Sequence, residues 1–195
     1  MHYAYTKIGP CMKIATLETR LKLMARAGTA AFPTKQLSGL MPGESPETIK
    51  ATLKRALKAG VLSRVCHGAY IYPDAFQDLG YKLEAIAIAL RHGHYSYLSL
   101  ESALSEYGAI SQIPLNRITV MTTGRKATYQ TPFGYIEFTS TKKSITKILE
   151  GTVKIEGRPL RLARFEVAMA DQVKVGRNLG LIDPDFSVEP VDESK

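Results

Sequence analysis

Residues 45–73, SPETIKATLKRALKAGVLSRVCHGAYIYP, decide how this chain is read. They encode a helix, a glycine stop and two short strands around a tight turn. Ser45 is a favoured N-cap residue, and Pro46 is pre-shaped for the first helical position. Ile49, Leu53, Ala56 and Leu57 recur at spacings of three and four, which puts them on one helical stripe. Lys54, Arg55 and Lys58 fall on the opposite face, with Thr48 and Ala51 beside them. Gly60 suits the left-handed residue that ends a helix. The runs 61–65 and 69–72 then flank Cys66-His67-Gly68, where the glycine permits a positive φ.

The preceding residues supply the rest of a compact unit. Residues 13–27 form a first helix with Ile14, Leu17, Leu21 and Met24 on one side and Gly28 as its stop. Ala30-Ala31-Phe32 reads as a short strand. Thr34 is expected to cap a second helix from Lys35 to about Leu40, and Met41-Pro42-Gly43-Glu44 turns into the helix that Ser45 opens. Pro73 closes the ribbon, and 74–78 reads as a linker. Helix, strand, helix, helix and hairpin in that order match a winged helix-turn-helix, in which the last helix enters the DNA major groove and the ribbon touches the flanking backbone.

Charge is distributed in keeping with that reading. The net charge is +8 over 1–73, +4 over 74–182 and −4 over 183–195. A strongly basic segment that coincides with a helix-ribbon pattern is what phosphate neutralisation requires. The chain has 195 residues, room for one large or two small domains. No apolar run approaches the roughly 20 residues of a membrane span. The first residues, MHYAYTKIGPCMK, lack an apolar signal core. Cys11 and Cys66 make no disulfide framework, so the cytoplasm is the default location.

A second unit is expected from near Leu79. Leu83, Ile86, Ala87 and Leu90 stripe a helix that stops at Gly93. Ser99 is expected to cap another helix, with Ala103, Leu104 and Tyr107 inward. Residues 117–122 and 134–139 have strand composition, and Thr131-Pro132-Phe133-Gly134 is the turn before the second. Residues 144–149 and 165–175 read as helices, and 152–155 pairs with 160–163 around Glu156-Gly157-Arg158-Pro159. The fold class is therefore α+β: an N-terminal extension over 1–12, a winged helix-turn-helix over 13–73, a mixed α+β domain over 79–182, and an acidic, flexible tail over 183–195.

No catalytic constellation is evident, and no cofactor or metal motif. His92-Gly93-His94 sits at a helix stop with no second ligand cluster following it. Cys66-His67 lies at the tip of a turn without a scaffolded acid. Asp183-Pro184-Asp185 lacks an upstream glycine-serine nucleotide loop. A nuclease would use Glu-x-Lys on a strand, but the chain offers Glu137-Phe138-Thr139. Gly124-Arg125-Lys126 is the clearest basic spot of the second unit, readable either as a phosphate contact or as a solvated turn.

Three segments carry a family resemblance: Gly60-Val61-Leu62-Ser63-Arg64-Val65 with Gly68-Ala69-Tyr70, then Tyr97-Leu98-Ser99-Leu100-Glu101-Ser102-Ala103-Leu104, then Arg117-Ile118-Thr119-Val120 followed by Gly124-Arg125. Together they resemble AbiEi-type antitoxins over about residues 13–175. The resemblance implies an N-terminal winged helix that binds repeats in the promoter of its own operon. It also implies a C-terminal domain that counteracts a nucleotidyltransferase-type toxin encoded next to it. Two features depart from the family pattern. The ribbon tip reads Cys-His-Gly rather than carrying a basic residue before the glycine. The run Glu166-Val167-Ala168-Met169-Ala170-Asp171 is less leucine-rich than usual.

The expectations are thus specific. Thr48 and Arg55 face base edges; Lys35, Lys50, Lys54, Lys58 and Arg64 face phosphates of double-stranded operator DNA. Ser99, Glu101, Arg125 and Lys126 are the candidates for the antitoxin function. A single winged unit buries little surface, so a homodimer or cooperative copies on a repeated site are expected. Two alternatives stand beside this: a stand-alone winged-helix repressor whose second domain dimerises or senses a ligand, and an enzyme acting on nucleic acid.

Overall fold

The structure is a computed structural model, which describes residues 13–110, 116–176 and 178–183. It is a mixed α+β protein that splits between Gly80 and Tyr81 into two compact units. The N-terminal extension and nearly all of the acidic tail lie outside the described residues. Among the described residues, no helix is long and apolar enough to cross a membrane.

The first unit runs α1 (Ile14–Arg26), β1 (Ala31–Pro33), α2 (Thr34–Gly39), α3 (Pro46–Lys58), β2 (Ser63–Cys66), β3 (Ala69–Ile71) and α4 (Pro73–Phe76). The apolar spacing produces the packing it predicts. Leu17 and Leu21 of α1, Leu37 of α2, and Leu53 and Ala56 of α3 are buried in one core with Phe32, Met41, Leu62 and Tyr72. Three strands in the order β1-β3-β2, all antiparallel, close one edge of that core. The ribbon turn is tighter than expected. Cys66 belongs to β2, pairs with Ala69 after a register shift, and leaves only His67 and Gly68 in the turn. Gly68 has φ +85°, the conformation for which a glycine was expected.

Two local expectations fail here. Thr34 is the first residue of α2 rather than its cap; Pro33 holds the cap position without a side-chain bond. Residues 73–76 form a short helix instead of a linker, because Phe76 is buried and pulls the segment inward. Pro73 sits at its first position, where a proline loses no hydrogen bond.

The second unit contains α5 (Lys82–Leu90), β4 (Ser96–Leu98), α6 (Leu100–Glu106), β5 (Arg117–Thr122), β6 (Ala127–Thr131), β7 (Gly134–Ser140), α7 (Ile145–Glu150), β8 (Thr152–Val153), β9 (Arg161–Ala163), α8 (Phe165–Val175) and a 3₁₀ turn at Leu179–Leu181. Its sheet has six strands in the order β6-β7-β5-β4-β9-β8. The pairs β5–β7 and β4–β9 are parallel, and the other three are antiparallel. Helix α5 packs against β5 and β7, and α6 packs against β5 and α8. Strands β4 and β6 were not anticipated. The first has only three residues, and the second follows a basic turn without a continuous apolar run.

Glycine matters most at Gly134, which opens β7 with φ +130°. A Cβ there would lie 2.1 Å from the Asn116 carbonyl oxygen. The same oxygen accepts from the Tyr135 N–H at 2.8 Å, which starts the β5–β7 pairing.

Candidate functional site

Helix α3 begins as its sequence requires. The Ser45 hydroxyl accepts from the Thr48 N–H at 3.2 Å and lies 3.2 Å from the Thr48 hydroxyl. Glu47 follows in the first turn, where an acid favours the helix dipole. Its own backbone N–H and then the Ser45 hydroxyl hold its carboxyl below the usual carboxylate range. Thr52, Leu53 and Ala56 are buried. The outer face is a continuous exposed strip of Glu47, Lys50, Ala51, Lys54, Arg55 and Lys58.

This places the DNA candidates unequally. Lys50, Lys54 and Lys58 share the exposed face at helical spacing, and Arg55 flanks them while donating to the buried Thr52 hydroxyl at 3.0 Å. Thr48 is half-buried with its hydroxyl at the cap, so a base contact through it would exchange the Ser45 contact. Lys35 is exposed on α2. Arg64 is exposed on β2 and donates to the Cys66 carbonyl at 3.3 Å, which binds it back along the ribbon. Cys66 itself is half-buried; burial pushes its thiol up, with the Arg64 charge opposing. Such a thiol is a poor nucleophile.

The second unit corrects two candidates. Ser99 is fully buried and makes no capping bond; its hydroxyl donates to Asp171 at 3.0 Å. Glu101 is buried too, and accepts from Gln172 at 3.3 Å and from Asn178 at 2.7 Å. Neither offers a surface to a partner. The sequence reading placed both at an open helix start. In the fold, β4 runs into α6 with almost no loop, and Leu100 takes φ +56° to make the corner. Thr119 of β5 holds that corner: its hydroxyl donates to the Ser99 carbonyl at 2.7 Å and accepts from the Ser102 N–H at 3.0 Å. The Ser102 hydroxyl in turn accepts from the Thr119 N–H at 2.8 Å. Leu98, Leu100, Ala103 and Leu104 are buried. The whole Leu98–Leu104 segment is thus structural.

Asp171, which sequence reasoning noted only as the end of a run, is the centre of this network. It is 1% exposed, and one carboxylate oxygen accepts from both Tyr97, at 2.9 Å, and Ser99. The Lys143 ammonium reaches the other oxygen at 2.7 Å. A second buried network holds Arg158, 4% exposed. Its Nη2 lies 2.7 Å from Glu84 and 2.9 Å from Glu106, and its Nε donates to Glu84 at 2.8 Å. Glu84 also accepts the Leu160 N–H at 3.1 Å. Both networks close their buried charges, as burial requires.

Arg125 and Lys126 behave differently. Both are exposed, in the connection between β5 and β6. They line an open groove of about 680 Å³ with Leu90, Arg91, His92, His94, Thr123, Gly124, Ala127 and Tyr129. Among the described residues, no group of three or more His, Cys, Asp or Glu gathers as a metal site. No protein-family profile matches this chain, and no curated protein sequence matches it.

Proposed function

We propose that this chain is a DNA-binding antitoxin of the AbiEi type. Its first unit acts as a winged helix-turn-helix that represses its own operon. Its second unit counteracts a nucleotidyltransferase-type toxin encoded beside it. The observation that carries the DNA half is the exposed basic face of α3, with Lys50, Lys54, Lys58 and Arg55 on one side and the core residues on the other. A helix so divided, followed by a two-strand ribbon, suits major-groove entry with phosphate contacts on either side. The antitoxin half is supported by the sequence resemblance. With Ser99 and Glu101 buried, it rests on Arg125 and Lys126 as the accessible candidates. Double-stranded DNA and the toxin are the partners this reading names, the toxin functionally and without a requirement for direct contact. Two copies on a repeated operator, and a cytoplasmic location, complete it.

The test is a gel-shift titration of the full chain on the DNA upstream of its own gene. Binding is expected to weaken steeply with salt, and Lys50→Ala/Lys54→Ala/Lys58→Ala should flatten the log–log slope by about 0.9 for each phosphate that is no longer neutralised. A triple variant that binds as well as the parent removes the DNA reading. Co-expression with the neighbouring gene tests the antitoxin half. The full chain should restore growth, and failure with intact operator binding favours a stand-alone repressor.

A further inference from the structure

The groove beside Arg125 holds an unusual cation. Arg91, at the end of α5, is 7% exposed, yet among the described residues no carboxylate pairs with it. Its guanidinium lies 3.9 Å from the Phe138 ring centroid and 5.4 Å from that of Tyr129. It donates to the Leu90 carbonyl at 3.1 Å, the Arg125 carbonyl at 2.7 Å and the Tyr129 hydroxyl at 3.3 Å. Its Nε is buried and, among the described residues, has no hydrogen-bond partner. Arg158, the other buried cation among the described residues of this unit, is built the opposite way: Glu84 and Glu106 clasp it. Even the partly exposed Lys143 has Asp171 as its counter-charge.

A buried charge without a counter-charge is costly, because water no longer solvates it and low dielectric carries its field further. Here Arg125 and Lys126, which line the same groove, add to that field instead of cancelling it. His92 and His94 also line it, and among the described residues no acidic side chain does. Gly124 keeps the arrangement compact. A Cβ there would stand 3.0 Å from Arg91 Cδ and 3.2 Å from the His94 ring, although the glycine's φ lies outside the left-handed region. Glycine at 124 is therefore a matter of room.

We propose that this groove is a binding site for a phosphate group, the tetrahedral anion that supplies the counter-charge Arg91 lacks. Arg125 and Lys126 at the mouth donate to its oxygens, charge-assisted bonds being the strongest such contacts. Arg91 acts from beneath as a positioning residue: it fixes the 124–126 turn through the Arg125 carbonyl and holds a positive potential under the bound anion. The phosphate comes either from a free nucleotide or from a nucleic-acid strand. The site lies wholly in the second unit and does not depend on DNA binding by α3.

The experiment uses the full chain carrying Lys50→Ala/Lys54→Ala/Lys58→Ala, so that operator binding does not contribute. Inorganic phosphate is titrated while the backbone amides of 123–127 are followed by heteronuclear NMR. Saturable shifts confined to this turn and to 91–94 are expected, with sodium chloride at equal ionic strength leaving them in place. Arg125→Ala/Lys126→Ala should weaken binding about tenfold or more while leaving the rest of the spectrum unchanged. A nucleoside monophosphate and a short single-stranded oligonucleotide are then compared; whichever saturates at lower concentration identifies the source. Shifts that chloride reproduces, shifts that do not saturate, or equal binding by the double variant overturn the proposal.

Discussion

The Ser99 hydroxyl donates to the Asp171 carboxylate at 3.0 Å, across a separation of 72 residues. That bond joins the corner after β4 to α8, and Tyr97 and Lys143 complete the same acid's shell. A serine at a helix start, ordinarily a cap, here serves a buried carboxylate. The carboxylate, on α8, gains two donors from β4 and the corner after it and a third from the loop after β7, so its charge is stabilised only when these three segments come together.

Asp171→Ala is expected to destabilise the second unit by about 3 kcal/mol or more, because it leaves the Lys143 ammonium and two buried hydroxyls without their acceptor. Ser99→Ala removes one donor of three and should cost about 1 kcal/mol. Urea unfolding followed by far-UV circular dichroism measures both. Equal effects of the two substitutions would show that Asp171 does not organise the cluster.

Tyr97 gives this unit a pH dependence. Burial, then the Asp171 charge, then the hydrogen bond between them, raise its phenol well above the ordinary value of about 10. The unfolded chain therefore releases the Tyr97 proton at lower pH than the fold does. The stabilisation is full below about pH 10 and is lost progressively above it, as only the unfolded state ionises. Thermal melts across the alkaline range should fall more gently for Tyr97→Phe than for the parent. Parallel curves would assign the alkaline loss to other groups, of which Tyr72 and Tyr107, also raised by burial, are the first candidates.

Gly134→Ala combines two faults: a φ of +130° that L side chains rarely adopt, and a Cβ that would meet the Asn116 carbonyl oxygen at 2.1 Å. The neighbour is backbone that also anchors Tyr135, so the β5–β7 pairing must shift. A loss on the order of 3 kcal/mol or more is expected. Hydrogen exchange should show β5 and β7 amides losing protection first. A variant with parent-like stability and protection contradicts this account.

Local chemistry was legible in the sequence, and long-range pairing was not. Helix α3 was readable because Ser45, Pro46 and the three–four spacing all act within one helix. The β8–β9 pairing was readable too, though the strands proved shorter than expected. Strand β4 was missed because three residues, the last two both buried, carry no alternation, and its neighbours β5 and β9 come from distant sequence. Ser99 and Glu101 were misread for the same reason. Serine and glutamate at a helix start look exposed unless Asp171, Gln172 and Asn178, more than seventy residues on, are known to cover them. Glu84 hid in the same way; nothing near it in sequence signals Arg158. The exposure of Arg125 and Lys126 was legible because basic residues in a turn after a strand face solvent, but the buried Arg91 beside them carried no such signal.

The final prediction concerns the one acid on the basic face of α3. Glu47 is exposed among Lys50, Lys54 and Lys58, and its depressed carboxyl keeps it charged at neutral pH. That depression supports the helix start above the ordinary carboxylate pKa of about 4.3 and is lost as pH falls through the folded value. Near DNA the same charge repels phosphates, which weakens binding to every sequence alike. A carboxylate reaching a base edge also accepts from a cytosine amino group and rejects other bases. Glu47→Gln should therefore raise affinity for unrelated DNA several-fold and lower the ratio of operator to unrelated binding. On the proposed reading of α3, in which Lys54 faces phosphate, Lys54→Ala should weaken both about equally, since a phosphate contact carries no sequence information. Competition gel shifts at fixed salt, with operator and scrambled duplexes, measure the two ratios. If Glu47→Gln leaves the operator ratio unchanged while Lys54→Ala changes it, the roles assigned to the two residues are reversed.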